Sequence, residues 1–505
     1  MPDADSARAT AREAIALLTG AAGFTEHRPP PRPLPPDGPL GWAGYDAARE
    51  RASARTGEEE SVVYGTGVVG DRACVLLSFE FGFLGGSLGR NTGDRLAAAY
   101  ELALTRRLPL LALVATGGSR MQEGMVALTQ LQRVAAASTR LRAAGLPQIA
   151  VVRDPTTGGG WATVGAGADV VLALPGAQVG FAGSRVRPPD ADPSAYSAEG
   201  QFAAGQVDAV VPADELAAAV TQWLRALGPH ENLPAAPVPR ALPTAGAGTG
   251  STAGVSTGAG AGTGSTAGVS TGAGAGTGST AGVSTSPGAG TPSAAGGGAV
   301  APLPETGREA VARARDPRRP RAEAYLADYF AVRLPLHGDR SGATDPGLLC
   351  GLGLRADGQP VAYVAQCGTP TRPAGYRAAA RTVRLADRLG VPVLTLVDTP
   401  GAANDAEAER AGAGAAIADT FAAIAAARVP VTTLVIGEGG SGGALALAAP
   451  DNTHVTVDSY FSVIAPELAA AILKRPPSET GATADQLRLR PQDLVDLGFA
   501  RSIVG

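Results

Sequence analysis

"LVATGGSRMQEG" (113–124) drives an apolar, strand-like run into paired glycines and then opens a helix-like stretch, and "LVDTPGAANDAE" (396–407) repeats the plan. The flanks repeat it too. "GDRLAAAYELALTRR", "LPLLALVAT", "MVALTQLQRVAAASTRLRAAG" and "LPQIAVVRD" alternate helix and strand patterns, and "YRAAARTVRLADRLG", "VPVLTLVDT", "AGAGAAIADTFAAIAAAR" and "VPVTTLVIG" answer them. Strands that read as continuous apolar runs between helices are buried on both faces, which predicts β-α-β units and a largely parallel sheet in each half. A second glycine loop follows in each half, "DPTTGGGWA" (154–162) and "GEGGSGGALA" (437–446). The interval from Gly117 to Gly158 and from Gly401 to Gly442 is the same 41 residues. The expectation is an internal duplication: two α/β domains of one fold with equivalent loops.

Composition separates the two halves. From Thr244 the chain is almost wholly Gly, Ala, Ser and Thr, with Ser251, Ser265 and Ser279 marking a 14-residue repeat. Such side chains bury too little surface to offset the entropy of ordering, so this stretch is expected to be a disordered linker. The Pro-rich "HRPPPRPLPPDGP" similarly predicts a mobile entrance. The expected division is a flexible segment over 1–45, a first domain over 46–235, a linker over 236–303 and a second domain over 304–505.

The chain has 505 residues, 45% of them apolar, and a net charge of −4, which excludes a general nucleic-acid binder. Its only lysine, Lys474 in "ILKRPP", stands in no G-K-[ST] phosphate loop and no biotin-carrier context, so a lysine-tethered cofactor must come from a partner. Cys74, Cys350 and Cys367 form no metal-binding pair and no disulfide framework, which predicts a reducing, cytoplasmic setting and no bound metal. The start has no signal-peptide pattern, and the longest apolar stretch is broken by Glu438 and glycines, so no membrane span is expected.

Glycine lets a ligand oxygen approach the peptide N–H groups, and a helix start adds unpaired donors and partial positive charge. Together these meet the requirement for an oxyanion hole. His27, His230, His337 and His454 are scattered and sit in no triad-like motif, while Ser119 and Ser441 lack a G-x-S-x-G context. Backbone donors without a side-chain base predict an enzyme that stabilises an enolate and takes its base from elsewhere.

These residues carry a family resemblance. "FEFGFLGGSLG" (79–89), "TGGSRMQEG", "DPTTGGGWA" and "VGFAGSRV" (179–186) resemble the β subunit of the acetyl-CoA carboxylase carboxyltransferase. "RARDPRRPRAEAYLADYF" (313–330), "TRPAGYRAAAR" (371–381), "LVDTPGA", "IGEGGSGGALA" and "FSVIAPE" resemble its α subunit. The resemblance implies tandem crotonase-like domains. It places acyl-CoA against Gly85, Gly86, Gly117, Gly118, Ser119, Arg120, Ala182 and Gly183, with the thioester enolate held by the backbone at Gly158 and Gly159. Gly442 and Gly443 would hold the biotin ureido oxygen, and Gly401 and Ala402, with Gly117 and Gly118, would shape the same substrate cleft. It further implies carboxybiotin on a separate carrier protein, a separate biotin carboxylase, and a homodimer or larger assembly. The sequence departs from that family in lacking a four-cysteine zinc ribbon before Cys74 and the Tyr-Pro-Gly of the α-like turn. A decarboxylase of malonyl-type thioesters and a non-catalytic assembly subunit are the alternatives.

Overall fold

The computed structural model describes residues 8–20, 23–30, 32–184, 187, 190–228, 230, 232–244 and 302–505. The repeat that founds the linker expectation, within 245–301, lies outside the described residues. The first half carries β1 (Phe24–His27), β2 (Val62–Val69), β3 (Arg72–Phe79), β4 (Leu110–Thr116), β5 (Gln148–Thr157), β6 (Val170–Ala173), β7 (Val179–Gly180) and β8 (Ala209–Val210). The second carries β9 (Val332–Pro335), β10 (Leu348–Leu354), β11 (Pro360–Gln366), β12 (Val393–Thr399), β13 (Val431–Gly440), β14 (Thr453–Thr456), β15 (Tyr460–Ser462) and β16 (Ser502–Val504).

The sheets run β1-β2-β3-β4-β5-β6-β8, with β7 on β5, and β9-β10-β11-β12-β13-β14-β16, with β15 on β13. Strand for strand they are the same sheet: an antiparallel edge of three strands followed by parallel pairs. The predicted duplication is therefore present in the topology.

β4 shows why the apolar runs are continuous. All its residues are buried; Leu111 and Leu113 face the core shared by the two halves, while Leu110, Ala112 and Val114 pack under the helix Arg90–Arg106. In the second half the helix Pro373–Leu389 starts with proline, and Gly390 (φ 71) ends it by returning its N–H to Ala386 O. Its Tyr376, Ala379, Ala380, Val383 and Ala386 form the buried stripe.

Two expectations need correction. Residues 1–45 are not simply a flexible entrance. Ala11, Ala14, Ile15 and Leu18, at helical spacing, bury one face of the helix Ala11–Thr19, a Thr10–Glu13 capping box fixes its start, and β1 pairs with β2. Nor does the linker begin at 236. Ala236 joins the second half's core, its carbonyl accepts from Thr432 Oγ1 at 2.8 Å, Arg240 pairs with Asp328, and Thr244 bonds Asp458.

The halves are joined by apolar packing and by charged contacts, Arg388 with Asp169 and a buried cluster at Asp208. The helix Leu216–Leu227 lies in the shared core, Phe202 stacks on His337 at 4.1 Å, and Gly205 meets Gly338 backbone to backbone. Asp208, buried, accepts from Val171 N and His337 N and pairs with Arg340 and Arg381. Burial alone would raise this carboxyl; the two guanidiniums reverse that and hold it below the usual carboxylate range.

Candidate functional site

In the first half β4 and β5 end side by side, with Thr116 opposite Thr156. Beyond them the two glycine turns meet without side chains between them: Gly118 has φ 104, Gly158 has φ 64, and a Cβ on Gly158 would stand 2.9 Å from Gly118 Cα. Only glycine fits that joint. Gly118 N–H donates to Thr116 Oγ1 at 3.0 Å, and Gly118 O accepts from Leu88 N, tying the turn to the "GGSLG" segment.

A cavity of about 760 Å³ opens over this joint. Of the expected residues, Gly85, Gly117, Gly118, Ser119, Gly158 and Gly183 line it. Phe81, Leu84, Gln122, Thr157, Gln178 and Phe181 join them, as do Arg8 and Arg55. Phe81, Leu84 and Gln122 stand inside the motifs singled out above; for Arg8 and Arg55 the sequence offers no local signal. Among the described residues the lining contains no Asp, Glu, His, Cys, Lys or Tyr. Among the described residues no cluster of His, Cys, Asp or Glu could hold a metal ion.

Four of the residues expected on the acyl-CoA side do not line the cavity. Arg120 is fully buried, pairing with Glu60 and Glu123 and bonding Tyr45, Ser61, Ser87 and Thr92. Desolvation opposes its charge, but Glu60 and its other partners outweigh that and raise its pKa, so Arg120 braces the turn from behind. Gly86 faces Ala115 O, where a Cβ would come within 2.2 Å, and Gly159 packs on Leu131. Ala182 uses its carbonyl to receive Arg187 Nε. Gly158 N–H is itself donated to Phe181 O at 3.0 Å, which leaves the following N–H groups of the helical segment 158–165 as the first-turn donors.

The second half repeats the joint in a register that differs by one residue from the glycine-to-glycine reading. Thr399 stands opposite Gly439, Gly401 N–H donates to Thr399 Oγ1 at 3.1 Å, and Gly401 O accepts from Thr371 N. These match Thr116, Gly118 and Leu88. Gly401 (φ 142) is therefore the counterpart of Gly118, Pro400 that of Gly117, and Ser441 (φ 57) that of Gly158. Gly443 packs behind the joint: a Cβ would meet Ala402 N at 2.4 Å, and its carbonyl accepts from Tyr376 Oη at 3.0 Å and Gln366 Nε2 at 3.3 Å. Gly442 has open space where a side chain would be.

Each joint also carries one exposed apolar residue at a matched position. β7 pairs Val179 and Gly180 with Thr156 and Thr157, and β15 pairs Phe461 and Ser462 with Gly439 and Gly440. The next residues, Phe181 and Val463, are 72% and 73% exposed.

Comparison with known proteins matches residues 41–239 to the carboxyl transferase domain and 304–505 to the acetyl co-enzyme A carboxylase carboxyltransferase-like family. A protein of Saccharopolyspora erythraea described as acetyl-coenzyme A carboxylase carboxyl transferase subunits beta/alpha is 34% identical, over 95% of this chain and 75% of its own length. A protein of Salinispora arenicola with the same description is 36% identical, over 98% and 82%. Among solved structures, a transcarboxylase 12S hexamer superposes with a TM-score of 0.69 at 19% identity, covering 98% of this chain and 87% of that one, which establishes the shared fold.

Proposed function

Since the chain belongs to the acetyl-CoA carboxylase carboxyltransferase family in its fused beta/alpha form, we propose that it moves a carboxyl group from carboxybiotin, borne by a separate carrier protein, to an acyl-CoA, with acetyl-CoA the substrate and malonyl-CoA the product. The observation that carries this reading is a cavity built over a backbone joint and lined, among the described residues, by no carboxylate, imidazole, thiol or amine. Carboxybiotin supplies the carboxyl group and, once that has left, the base. The protein's share is then geometric and electrostatic. The first-turn N–H groups after Gly158 face the thioester oxygen and stabilise the negative charge it gains as the α C–H bond breaks. The new C–C bond forms at that carbon. The matched joint at Gly401 and Ser441, with open space over Gly442, receives the ureido group.

The cavity includes no residue of the second joint, so one copy does not bring the two together in it. Phe181 and Val463 expose apolar surface at matched mouths, and Met121, Leu468 and Ile472 extend it. We therefore assign a homodimer in which the first half of one copy covers the second half of the other. Carrier protein and biotin carboxylase are separate partners. All three cysteines are free, in keeping with a reducing compartment. The test is transfer of label from a carboxylated biotin carrier to acetyl-CoA. Absence of transfer to any short acyl-CoA overturns the reading, and biotin-independent CO2 release from malonyl-CoA would favour a decarboxylase.

A further inference from the structure

The cavity has two walls that share no strand ladder. One follows the end of β3 and includes Phe81, Leu84 and Gly85; the other closes β5 and includes Pro155, Thr157 and Gly158. β4 lies between β3 and β5, which puts those strands roughly 9.5 Å apart, twice the spacing of neighbours. Arg153, near the end of β5, spans that gap: its Nη2 donates to Phe79 O and its Nη1 to Ala9 O at 3.0 Å. Arg153 is buried and, among the described residues, forms no ion pair, and its Nε has no hydrogen-bond partner. Burial pushes its pKa down to about 10, against the pull of Glu80. The two carbonyls thus supply most of what solvates a buried charge, and losing Ala9 would leave that charge short of acceptors. Glu80, buried on the other wall, holds the same segment. One of its oxygens accepts from Gly82 N at 2.9 Å and the other from Ala11 N at 2.8 Å, an N–H that the helix start leaves unpaired. Arg8 pairs with Asp154, next to Arg153. Residues 8–11 therefore touch both walls.

We infer that Glu80 and Arg153 are positioning residues, which fasten residues 8–19 as a strap between the two walls and so fix the width of the acyl-CoA cavity. The inference rests on the acyl-CoA reading above. Neither residue lines the cavity. The glycine joint already ties the walls at the cavity floor, through Gly117 N to Gly85 O and the close approach of Gly118 to Gly158. A single tie lets two walls splay about it; a second fixes their separation, and with it the distance from a bound thioester to the donors after Gly158.

Hydrogen exchange on the full chain, in the wild type, Glu80→Gln and Ala11→Pro, tests this. The variants break the Glu80–Ala11 bond from opposite ends. Proline suits the first helical position, and Thr10 (ψ 168) already has the extended backbone that precedes it. Amides of the helix Ala11–Thr19 are expected to exchange about tenfold faster in both variants, the usual scale for a lost charge-assisted bond. Amides of 80–86 and 154–158 should speed up with them, while the matched stretches 398–402 and 438–442 keep their rates. Strap amides that loosen while both walls hold overturn the inference, as do unchanged rates throughout or equal loosening in the second half. Strap docking and CoA binding are reciprocal, so saturating CoA should slow the strap amides of either variant. KM for acetyl-CoA should rise by no more than the same factor, with KM for the carboxylated carrier unmoved. CoA that binds without slowing the strap also overturns the inference. CoA that binds neither wild type nor variant sinks the acyl-CoA reading, and exchange at the two walls then decides the strap by itself.

Discussion

Gly158→Ala is the sharpest probe of the joint. The methyl would sit at φ 64, where a side chain costs roughly 1–2 kcal/mol. It would also stand 2.9 Å from Gly118 Cα, against 3.4 Å for an ordinary contact. Both atoms belong to backbone, so no rotamer change relieves the clash, and the two turns must part by about 0.5 Å, the difference between those distances. A misplacement of about 1 Å at reacting groups costs on the order of 100-fold in rate, so a loss of about 10- to 100-fold in kcat is expected. Gly358→Ala, in the turn between β10 and β11, is the control: φ is 82 and nothing lies within 4 Å of the new methyl. It carries the same strain without the clash. Both variants should lower Tm by about 2–8 °C, from 1–2 kcal/mol at roughly 2–4 °C per kcal/mol. Transfer from carboxylated carrier to acetyl-CoA, measured beside thermal unfolding, separates the two effects. Full kcat in Gly158→Ala, or an equal activity loss in Gly358→Ala, would refute the claim that the joint sets the reaction geometry.

Asp208→Asn should destabilise the chain by about 3–5 kcal/mol at neutral pH, because Arg340 and Arg381 lose the buried carboxylate between the halves. The folded pKa of Asp208 lies below its unfolded value, so its contribution is fully present above the unfolded pKa near 3.9 and fades as pH falls through the folded one. Urea unfolding should therefore show the gap between variant and wild type narrowing below about pH 4, and a constant gap would count against this linkage. Ser441→Gly removes a side chain from φ 57 and should raise Tm, by about 1 kcal/mol of stability, whereas a lower Tm would show that Ser441 is held by something other than strain relief elsewhere. Val463→Asp together with Ile472→Asp places charge on two residues that are 73% and 70% exposed. If that surface joins two copies, sedimentation will show monomers and transfer will fall with them; dimers of full activity would dismiss it.

The duplicated fold was legible because its cause is local. Runs such as Leu110–Thr116 are apolar at every position only when both faces are covered, and the turns that follow announce themselves by glycine. The N-terminal helix was equally local: Ala11, Ala14, Ile15 and Leu18 stand at i, i+3, i+4 and i+7, behind a Thr10–Glu13 box. The proline cluster that follows carries the opposite local signal, that of a mobile stretch. What no local pattern carries is the partner surface. The helix is buried because β2 and β3 offer an apolar face, and Arg120 is buried because Tyr45 and Glu60, 75 and 60 residues away in sequence, close around it. A charged residue in a loop motif looks like a ligand contact until those partners are known.

The one-residue slip between the two joints has a physical origin in the same residues. Matching glycine to glycine pairs Gly117 with Gly401 and Gly158 with Gly442, yet residue identity is not the constraint; the backbone angle is. Gly117 is not among the positive-φ residues, so its place tolerates Pro400, whose ring fixes φ near −65°. Gly118 and Gly401 occupy the place that does need positive φ, and their N–H groups close the same bond to a threonine hydroxyl. At Gly158 the neighbouring turn leaves no room for a side chain, whereas the corresponding place in the second half admits the strained Ser441. The two joints thus differ where a substrate would meet them. The first is closed to everything but backbone beside a cavity whose described lining holds no carboxylate, imidazole, thiol or amine, and the second admits a hydroxyl-bearing residue beside the open ground of Gly442. On the proposed reading a duplicated fold would divide one reaction in this way, with each copy of the joint free to change at the position that would touch its own reactant.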